Sequence, residues 1–376
     1  MKTQHRIHIS LGSNIGDRLE YLQKAVNAMY NALGDIVEVS SVYQTPAWGF
    51  NSDDFYNACI LIKTSYSTSE VLEKLLAIET SLGRNRNNSD EYEARTIDLD
   101  IIFSSEGVSN TERLMVPHPS MQDRKFVLIP LEEIAKDEVH PIEKRTVGEL
   151  LQSTSDVSKV VKVNERILNP KEKFSLSSVQ YLTIEGNIGA GKTSLAHLIS
   201  EELNAKLVLE RFADNPFLPK FYEDMERYAF PLEMSFLADR YQRLQDDIGQ
   251  LDLFKDFVVS DYDVFKSLIF AQVTLQEDEY KLYKKVFDIM YRDLPKPGLY
   301  VYLYQNTERL LENIKKRGRD YEQKIPAEYL NKINQGYLQF IKAQPELNVK
   351  IIDISEKDFV KNREDYIWVL NQLVAS

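Results

Sequence analysis

The sequence predicts an α/β protein in two parts, a ferredoxin-like α+β sandwich followed by a phosphate-loop parallel sheet. Three observations carry this reading. At 376 residues the chain exceeds what one ordinary core accommodates. Strand patterns come in pairs with helices between them up to about residue 150, whereas beyond residue 180 strands and helices alternate singly. The octet Gly186-Asn-Ile-Gly-Ala-Gly-Lys-Thr193 fits the GxxxxGK[ST] phosphate loop, which usually sits near the start of its domain. Here it stands halfway along the chain, so something else folds ahead of it.

The first strand is Arg6-Ile-His-Ile-Ser10. Leu19, Leu22, Val26, Met29 and Leu33 then form an i, i+3, i+4, i+7 apolar stripe that predicts a helix stopped at Gly34. Strand-like runs cover 36–45 and 55–64. Ser67-Thr-Ser-Glu70 is a capping box opening a helix to about Leu82, and 96–103 is a further strand. From 153 to 180 the periodicity weakens, and the polar stretch 169–178 has little to pack. We place a linker at 153–180, between a first domain at 1–152 and a second at 181–376. The second opens with a strand at 181–185, a helix at 193–203 and a strand at 206–210. Strands at 257–260, 299–303 and 349–354 follow with helices between them, which predicts a parallel sheet covered on both faces.

Composition narrows the function classes. A hydrophobic content of 43% with 28% charged residues is that of a soluble globular protein. No apolar run approaches membrane-spanning length, and the N-terminus lacks the apolar core of a signal peptide. The single cysteine, Cys59, excludes an internal disulfide and lies in an apolar run, as a buried thiol would. These features lead us to expect a cytoplasmic protein with no membrane partner. A net charge of −12 argues against nucleic-acid binding, and the local cluster Lys315-Lys-Arg-Gly-Arg319 suits a small polyanion instead.

The phosphate loop follows the apolar run Tyr181-Leu-Thr-Ile184, as such a loop requires. Its glycines Gly186, Gly189 and Gly191 let backbone N–H groups approach an anion, Lys192 would reach the outer phosphates, and the Thr193 hydroxyl would ligate Mg²⁺. Glu210 and Asp261 close predicted strands, where open α/β sheets place their ligands. Either could activate a hydroxyl or help hold Mg²⁺, and either alone reads equally well as a solvated acid at a loop start. Residues 315–322 look like a mobile lid that brings guanidinium groups onto transferring phosphates.

The octet, Glu210 and the segment Arg317-Gly-Arg319…Glu322-Gln323 together resemble the deoxyribonucleoside kinase family from Tyr181 to the C-terminus. The resemblance implies γ-phosphoryl transfer from ATP to a deoxynucleoside 5′-hydroxyl, with one Mg²⁺ held near Thr193 and Asp261. By the same resemblance Glu210 is the base, Arg317 and Arg319 clamp phosphates, Tyr222 and Glu322 hold the sugar 3′-hydroxyl, and Arg240 serves the base site. Glu233 stands where the family usually has a base-reading glutamine. An ionised glutamate only accepts, so it points to a base edge that offers donors, as adenine's amino group or guanine's N1 and N2 groups do, which favours a purine; of the purines we expect deoxyadenosine. The family's acid-Arg-Ser segment is here Asp261-Tyr262-Asp263, so its arginine is missing, and Lys266 and Ser267 stand where a second acid usually follows.

In the first half, Arg95-Thr-Ile-Asp-Leu-Asp-Ile-Ile102 puts Asp98 and Asp100 on one strand face, with Ile97, Leu99 and Ile101 on the other. Paired carboxylates of this kind can bind two Mg²⁺ ions. Arg84, Arg86, Arg95, His118 and Arg124 flank them in sequence, enough positive charge to offset a triphosphate. Tyr43-Gln-Thr-Pro46 and Asp54-Phe-Tyr-Asn57 add rings and an amide suited to a flat heterocycle. With Leu11-Gly-Ser-Asn14, Gly83-Arg-Asn-Arg86, Val116-Pro-His118 and Arg124-Lys-Phe126, these pieces resemble the 6-hydroxymethyl-7,8-dihydropterin pyrophosphokinases of folate synthesis, from about His5 to Leu151. The resemblance implies transfer of the ATP β,γ-diphosphate to a pterin hydroxymethyl group. Asp98 and Asp100 then hold two Mg²⁺, Arg84 and Arg95 stabilise phosphates, and Arg86, His118 and Arg124 bind ATP. Thr45, Pro46, Phe55, Asn57 and Phe126 form the pterin slot.

The combined expectation is a bifunctional ATP-dependent transferase acting on small molecules, dimeric through helices of its second half. Two alternatives stand beside it. The second half could be a nucleotide-binding regulatory or dimerising module, or it could phosphorylate a nucleoside monophosphate.

Overall fold

The computed structural model describes residues 3–47, 52–84, 94–211, 215–248, 252–292 and 294–375. The chain divides into two compact units, Met1–Lys173 and Phe174–Ser376.

The first unit runs β1 (His5–Ser13), α1 (Arg18–Ala32), β2 (Gly34–Val39), β3 (Tyr43–Thr45), β4 (Phe55–Thr64), α2 (Thr68–Ser81), β5 (Asp98–Ser104), β6 (Ser109–Asn110), β7 (Met115–Val116), α3 (Lys125–Ala135), α4 (Val147–Ser153) and β8 (Val161–Lys162). The main sheet has the order β5-β1-β4-β3-β8, with β2 also paired to β4, and every pairing is antiparallel. This is the ferredoxin-like arrangement expected. Its spine is the long β1–β4 ladder from His5↔Thr64 to Ser13↔Tyr56. Ile7, Ile9 and Leu11 are fully buried, as are Cys59 and Ile60 on the partner strand. Asp17 caps α1 by accepting from the Glu20 amide, and Ser67 and Glu70 form the capping box that starts α2. Cys59 packs with Ile102, Val127 and Leu131, and burial pushes its thiol well above the usual range.

Two expectations about this unit are corrected. The run 36–45 is two strands, not one. Between them, the Ser40 hydroxyl accepts the Cys59 amide at 2.8 Å while the Ser40 amide donates to the Cys59 carbonyl at 2.9 Å, which replaces regular pairing. Nor is 153–180 a plain linker. β8 pairs with β3, Asn169 donates to the Ile36 carbonyl at 2.7 Å, and Lys171 lies 3.1 Å from Asp35, so the chain stays on the first unit to Lys173.

The second unit runs β9 (Tyr181–Gly186), α5 (Lys192–Glu202), β10 (Lys206–Val208), α6 (Leu218–Glu223), α7 (Met225–Ile248), β11 (Val258–Ser260), α8 (Phe265–Thr274), α9 (Glu277–Tyr291), β12 (Leu299–Tyr304), α10 (Thr307–Arg317), α11 (Ala327–Lys342), β13 (Val349–Asp353) and α12 (Arg363–Val374). Its five strands are all parallel in the order β10-β11-β9-β12-β13. The central β9 is buried along its length, as expected of a strand covered on both faces. The chain leaves β9 directly into the phosphate loop, so the loop sits at the carboxyl edge of the sheet. Among the described residues no helix is long and apolar enough to cross a membrane.

Candidate active sites

In the first unit, β5 pairs with β1 so that Asp98 lies opposite Gly12 and Asp100 opposite Ser10. Ile97, Leu99 and Ile101 are buried on the other side, so strand periodicity alone aims both carboxylates at one cavity. That cavity, of about 550 Å³, is lined by Thr45, Pro46, Phe55, Asn57 and Phe126 together with Arg95, Arg124 and both aspartates. Gly12 keeps its floor open, since a Cβ there would come 3.2 Å from Asn57 Oδ1 and 3.6 Å from the Phe55 ring. Asn57 donates from Nδ2 to the Thr45 hydroxyl at 2.8 Å, which fixes the amide at the end of the slot.

The charges are interlocked. Asp98 accepts from Arg84 at 2.5 Å and from Arg95 at 2.8 Å. Arg84 also pairs with buried Glu79, whose Oε1 accepts the Leu99 amide at 2.8 Å. Asp100 is pushed up to about 7, first by burial and then by the negative charges of Asp98 and Glu79. Burial, reinforced by Arg124, holds His118 down at about 4, and its Nδ1 accepts the Ser120 amide at 3.2 Å. His118 therefore offers a neutral N–H rather than a charge. Arg124 lies over the Phe126 ring at 5.8 Å. Arg86 lies outside the described residues. Glu79 was not anticipated, since an acid within a helical stripe carries no motif.

In the second unit the phosphate loop wraps the start of α5. Gly191 takes the left-handed φ of 85°, and a Cβ there would sit 2.9 Å from the Phe359 ring. Lys192 Nζ donates to the Gly186 carbonyl at 2.9 Å and the Asn187 carbonyl at 3.0 Å, and burial together with nearby Lys266 lowers it to about 8. The Thr193 hydroxyl donates to Asp261, whose other oxygen accepts the Glu210 amide at 2.8 Å. A cleft of about 750 Å³ opens beside the loop, lined in part by Lys192, Glu210, Glu233, Arg317 and Glu322, with Tyr222 and Phe221 on its apolar side.

Glu210, whose side chain is largely shielded from water, is held by two cations. Arg240 donates to its Oε1 from Nε at 2.8 Å and from Nη2 at 2.6 Å, and Lys266 reaches Oε2 at 2.5 Å. Lys266 and Arg240 overcome the cost of burial and hold the carboxylate down at about 2. Arg240, expected at the nucleobase, thus turns to Glu210, and its Nη1 donates to Ser267 at 2.8 Å. Tyr262, which replaces the family's arginine, is fully buried in the core with Leu237 and Leu244, away from the cleft. Lys266 supplies the missing positive charge from one helix turn further on. Arg317 and Arg319 both pair with buried Glu322, Arg319 at 3.1 Å. Tyr222 stacks on Tyr321 at 5.9 Å between ring centroids. A second hollow beyond the loop is lined by Arg309, Asn313, Lys316 and residues 357–361. Residues 357–361 had no sequence signal, because only the fold returns the segment before α12 to the loop.

Each unit thus joins a concave cleft to a cluster of cationic side chains and a carboxylate, an arrangement of the kind found in nucleotide-dependent phosphotransferases. The comparisons with known proteins identify the two more closely. Residues 182–375 match the deoxynucleoside kinase family model, and residues 8–136 match that of 7,8-dihydro-6-hydroxymethylpterin-pyrophosphokinase. Deoxyguanosine kinase of Bacillus subtilis is 38% identical over 195 residues, covering 51% of this chain and 94% of that protein. Deoxyadenosine kinase of Dictyostelium discoideum is 31% identical over 199 residues, 53% of this chain and 80% of that protein. The 2-amino-4-hydroxy-6-hydroxymethyldihydropteridine pyrophosphokinase of Synechocystis sp. is 41% identical over 149 residues, 39% of this chain and 75% of that protein. The chain belongs to both families, the pyrophosphokinases through its first unit and the deoxynucleoside kinases through its second.

Proposed function

We propose that the chain catalyses two ATP-dependent transfers, diphosphate to 6-hydroxymethyl-7,8-dihydropterin in its first unit and phosphate to the 5′-hydroxyl of a purine deoxynucleoside in its second. The observation that supports this is the presence, in one chain, of two clefts, each lined by carboxylates, cationic side chains and aromatic rings.

In the first site the pterin lies between Phe55 and Phe126, with Asn57 and Thr45 on its edge. Arg84, Arg95 and Arg124 meet the phosphates, and His118 donates a neutral hydrogen bond. Asp98 and Asp100 fit two Mg²⁺ ions, since two carboxylates share one cavity and burial leaves Asp100 short of positive charge. Two protein carboxylates leave the other coordination positions to ATP oxygens and water. The ions, when bound, polarise the phosphate under attack.

In the second site the loop amides and Lys192 bind the ATP phosphates, and Arg317 and Arg319 close on the transferring group. Glu210 accepts a hydrogen bond from the 5′-hydroxyl and takes its proton late, in keeping with a loose transition state that needs little base strength. Lys266 and Arg240 keep Glu210 ionised and aimed, and Lys266 stands where the incoming phosphoryl charge develops. Tyr222 and Glu322 hold the sugar, and Thr193 and Asp261 fit a single Mg²⁺. The two kinase relatives act by name on purine deoxynucleosides, which supports deoxyadenosine or deoxyguanosine as acceptor. The protein is further proposed to be a homodimer through the second unit, where α9 exposes Leu282 and Ile289 two turns apart. The intact Glu210 site favours an active kinase over a regulatory module. AMP release with the dihydropterin and ADP release with each of four deoxynucleosides test both halves. Absence of ADP with every nucleoside would refute the second, and preference for a deoxynucleoside monophosphate would reassign it.

A further inference from the structure

The nucleoside cleft contains one buried polar atom whose hydrogen-bonding capacity is unmet. Glu233, on α7 and 2% exposed, lines the cleft. Its Oε1 accepts from the Thr274 hydroxyl at 3.2 Å, while Oε2 is buried with no hydrogen-bond partner among the described residues. Arg240, two turns along the same helix, directs its guanidinium to Glu210 and Ser267 instead. A buried acceptor left unpaired costs about 1–3 kcal/mol, and a ligand that pairs it recovers that energy. The slot in front of it is apolar and aromatic, with Phe221, Leu232 and Phe236 on its walls, as a stacked base requires.

We propose that Glu233 reads the nucleobase in both of its protonation states, as a carboxylic acid on adenine and as a carboxylate on guanine. The acid donates its O–H to adenine N1 and accepts from the 6-amino group. The carboxylate accepts from guanine N1–H and from the 2-amino group. An ionised Glu233 would set an oxygen lone pair against the lone pair of adenine N1, so adenine requires the proton, whereas guanine does not. This rests on the deoxynucleoside kinase reading of the second unit.

The surroundings of Glu233 set both states within reach of neutral pH. Burial pushes it up to about 7, opposed by Arg240 on its own helix, the Thr274 hydrogen bond and Lys266 on α8, and reinforced by Glu210, two residues beyond β10. Tyr222 on α6, Tyr283 on α9 and Tyr329 on α11 also face it, and all three are held neutral by burial. The sign follows directly. Below about pH 7 the acid form dominates and adenine is served. As pH rises through that value the acid form disappears, and guanine gains relative to adenine.

The test uses the full-length protein. The ratio of kcat/KM for deoxyadenosine to that for deoxyguanosine should fall about thirtyfold between pH 6.5 and 8, because one substrate follows the acid and the other the carboxylate. In Glu233→Gln the ratio should be flat over that range, because an amide donates and accepts at every pH. A flat ratio in the unaltered protein, or an undiminished slope in E233Q, overturns the proposal. Calorimetry in two buffers of different ionisation enthalpy reads the same step without turnover. Deoxyadenosine should take up about 0.9 proton at pH 8, and deoxyguanosine should release about 0.8 at pH 6.5. No proton exchange, or no binding of either nucleoside, also overturns it. Failure of both nucleosides to yield ADP counts against the kinase reading, while the proton count still decides the role of Glu233.

Discussion

Lys266 gives Glu210 a second cation that no aligned motif suggested. Its ammonium lies 2.5 Å from Oε2, opposite Arg240 on Oε1, with both cations nearly inaccessible to water. Replacing it by methionine should lower kcat for nucleoside phosphorylation about 10²-fold, as loss of one charged transition-state contact does, and leave pterin diphosphorylation unchanged. Lys266→Arg should recover part of the loss, which a purely structural role for the side chain would not predict. In the first site, Phe126→Ala removes one wall of the pterin slot and should raise KM for the dihydropterin about tenfold, with a smaller effect on ATP. Steady-state kinetics with each substrate varied check both. At this scale the residues tied to a motif were legible: Lys192, Thr193, Glu210, Asp98 and Asp100 all line or touch the clefts. Lys266 and Glu79 were not. Lys266 is 56 residues from Glu210 and meets it only because α8 follows β11, beside the strand that leads to Glu210. The structure also changes the meaning of Glu233, whose ionisation is set by burial that no local sequence reveals.

Elements position these groups more tightly than their lengths suggest. The β1–β5 register, with its shift between His8 and Ile9, is what sets Gly12 and Ser10 beneath the two aspartates. Gly34 opens β2 against β4, where a Cβ would fall 2.2 Å from the Lys63 carbonyl oxygen. Gly34→Ala must push those strands apart and should destabilise the first unit by about 2–3 kcal/mol, read as a lower midpoint in its chemical unfolding. The second unit's own transition should not move. Periodicity and caps made most helices and strands readable, including the capping box of α2 and the stop of α1 ahead of Gly34. The break at Ser40 was hidden, because it depends on a hydroxyl captured by a strand 19 residues away. The polar stretch after Ser153 was misread for a related reason. Its few anchors, Asn169 to Ile36 and Lys171 to Asp35, are made over more than 130 residues of chain and leave no local pattern.

At the scale of the whole molecule, two units with separate cores carry separate clefts. Each cleft closes on residues of its own unit, so each activity should respond to its own substitutions. The most direct measurement follows AMP release with the dihydropterin and ADP release with purine deoxynucleosides, side by side, in the unaltered protein, Asp98→Ala and Lys192→Ala. Asp98→Ala should abolish AMP formation and preserve ADP formation, and Lys192→Ala should do the reverse. Loss of both activities from either substitution, in protein that remains folded, would contradict the account of two independent transferases in one chain.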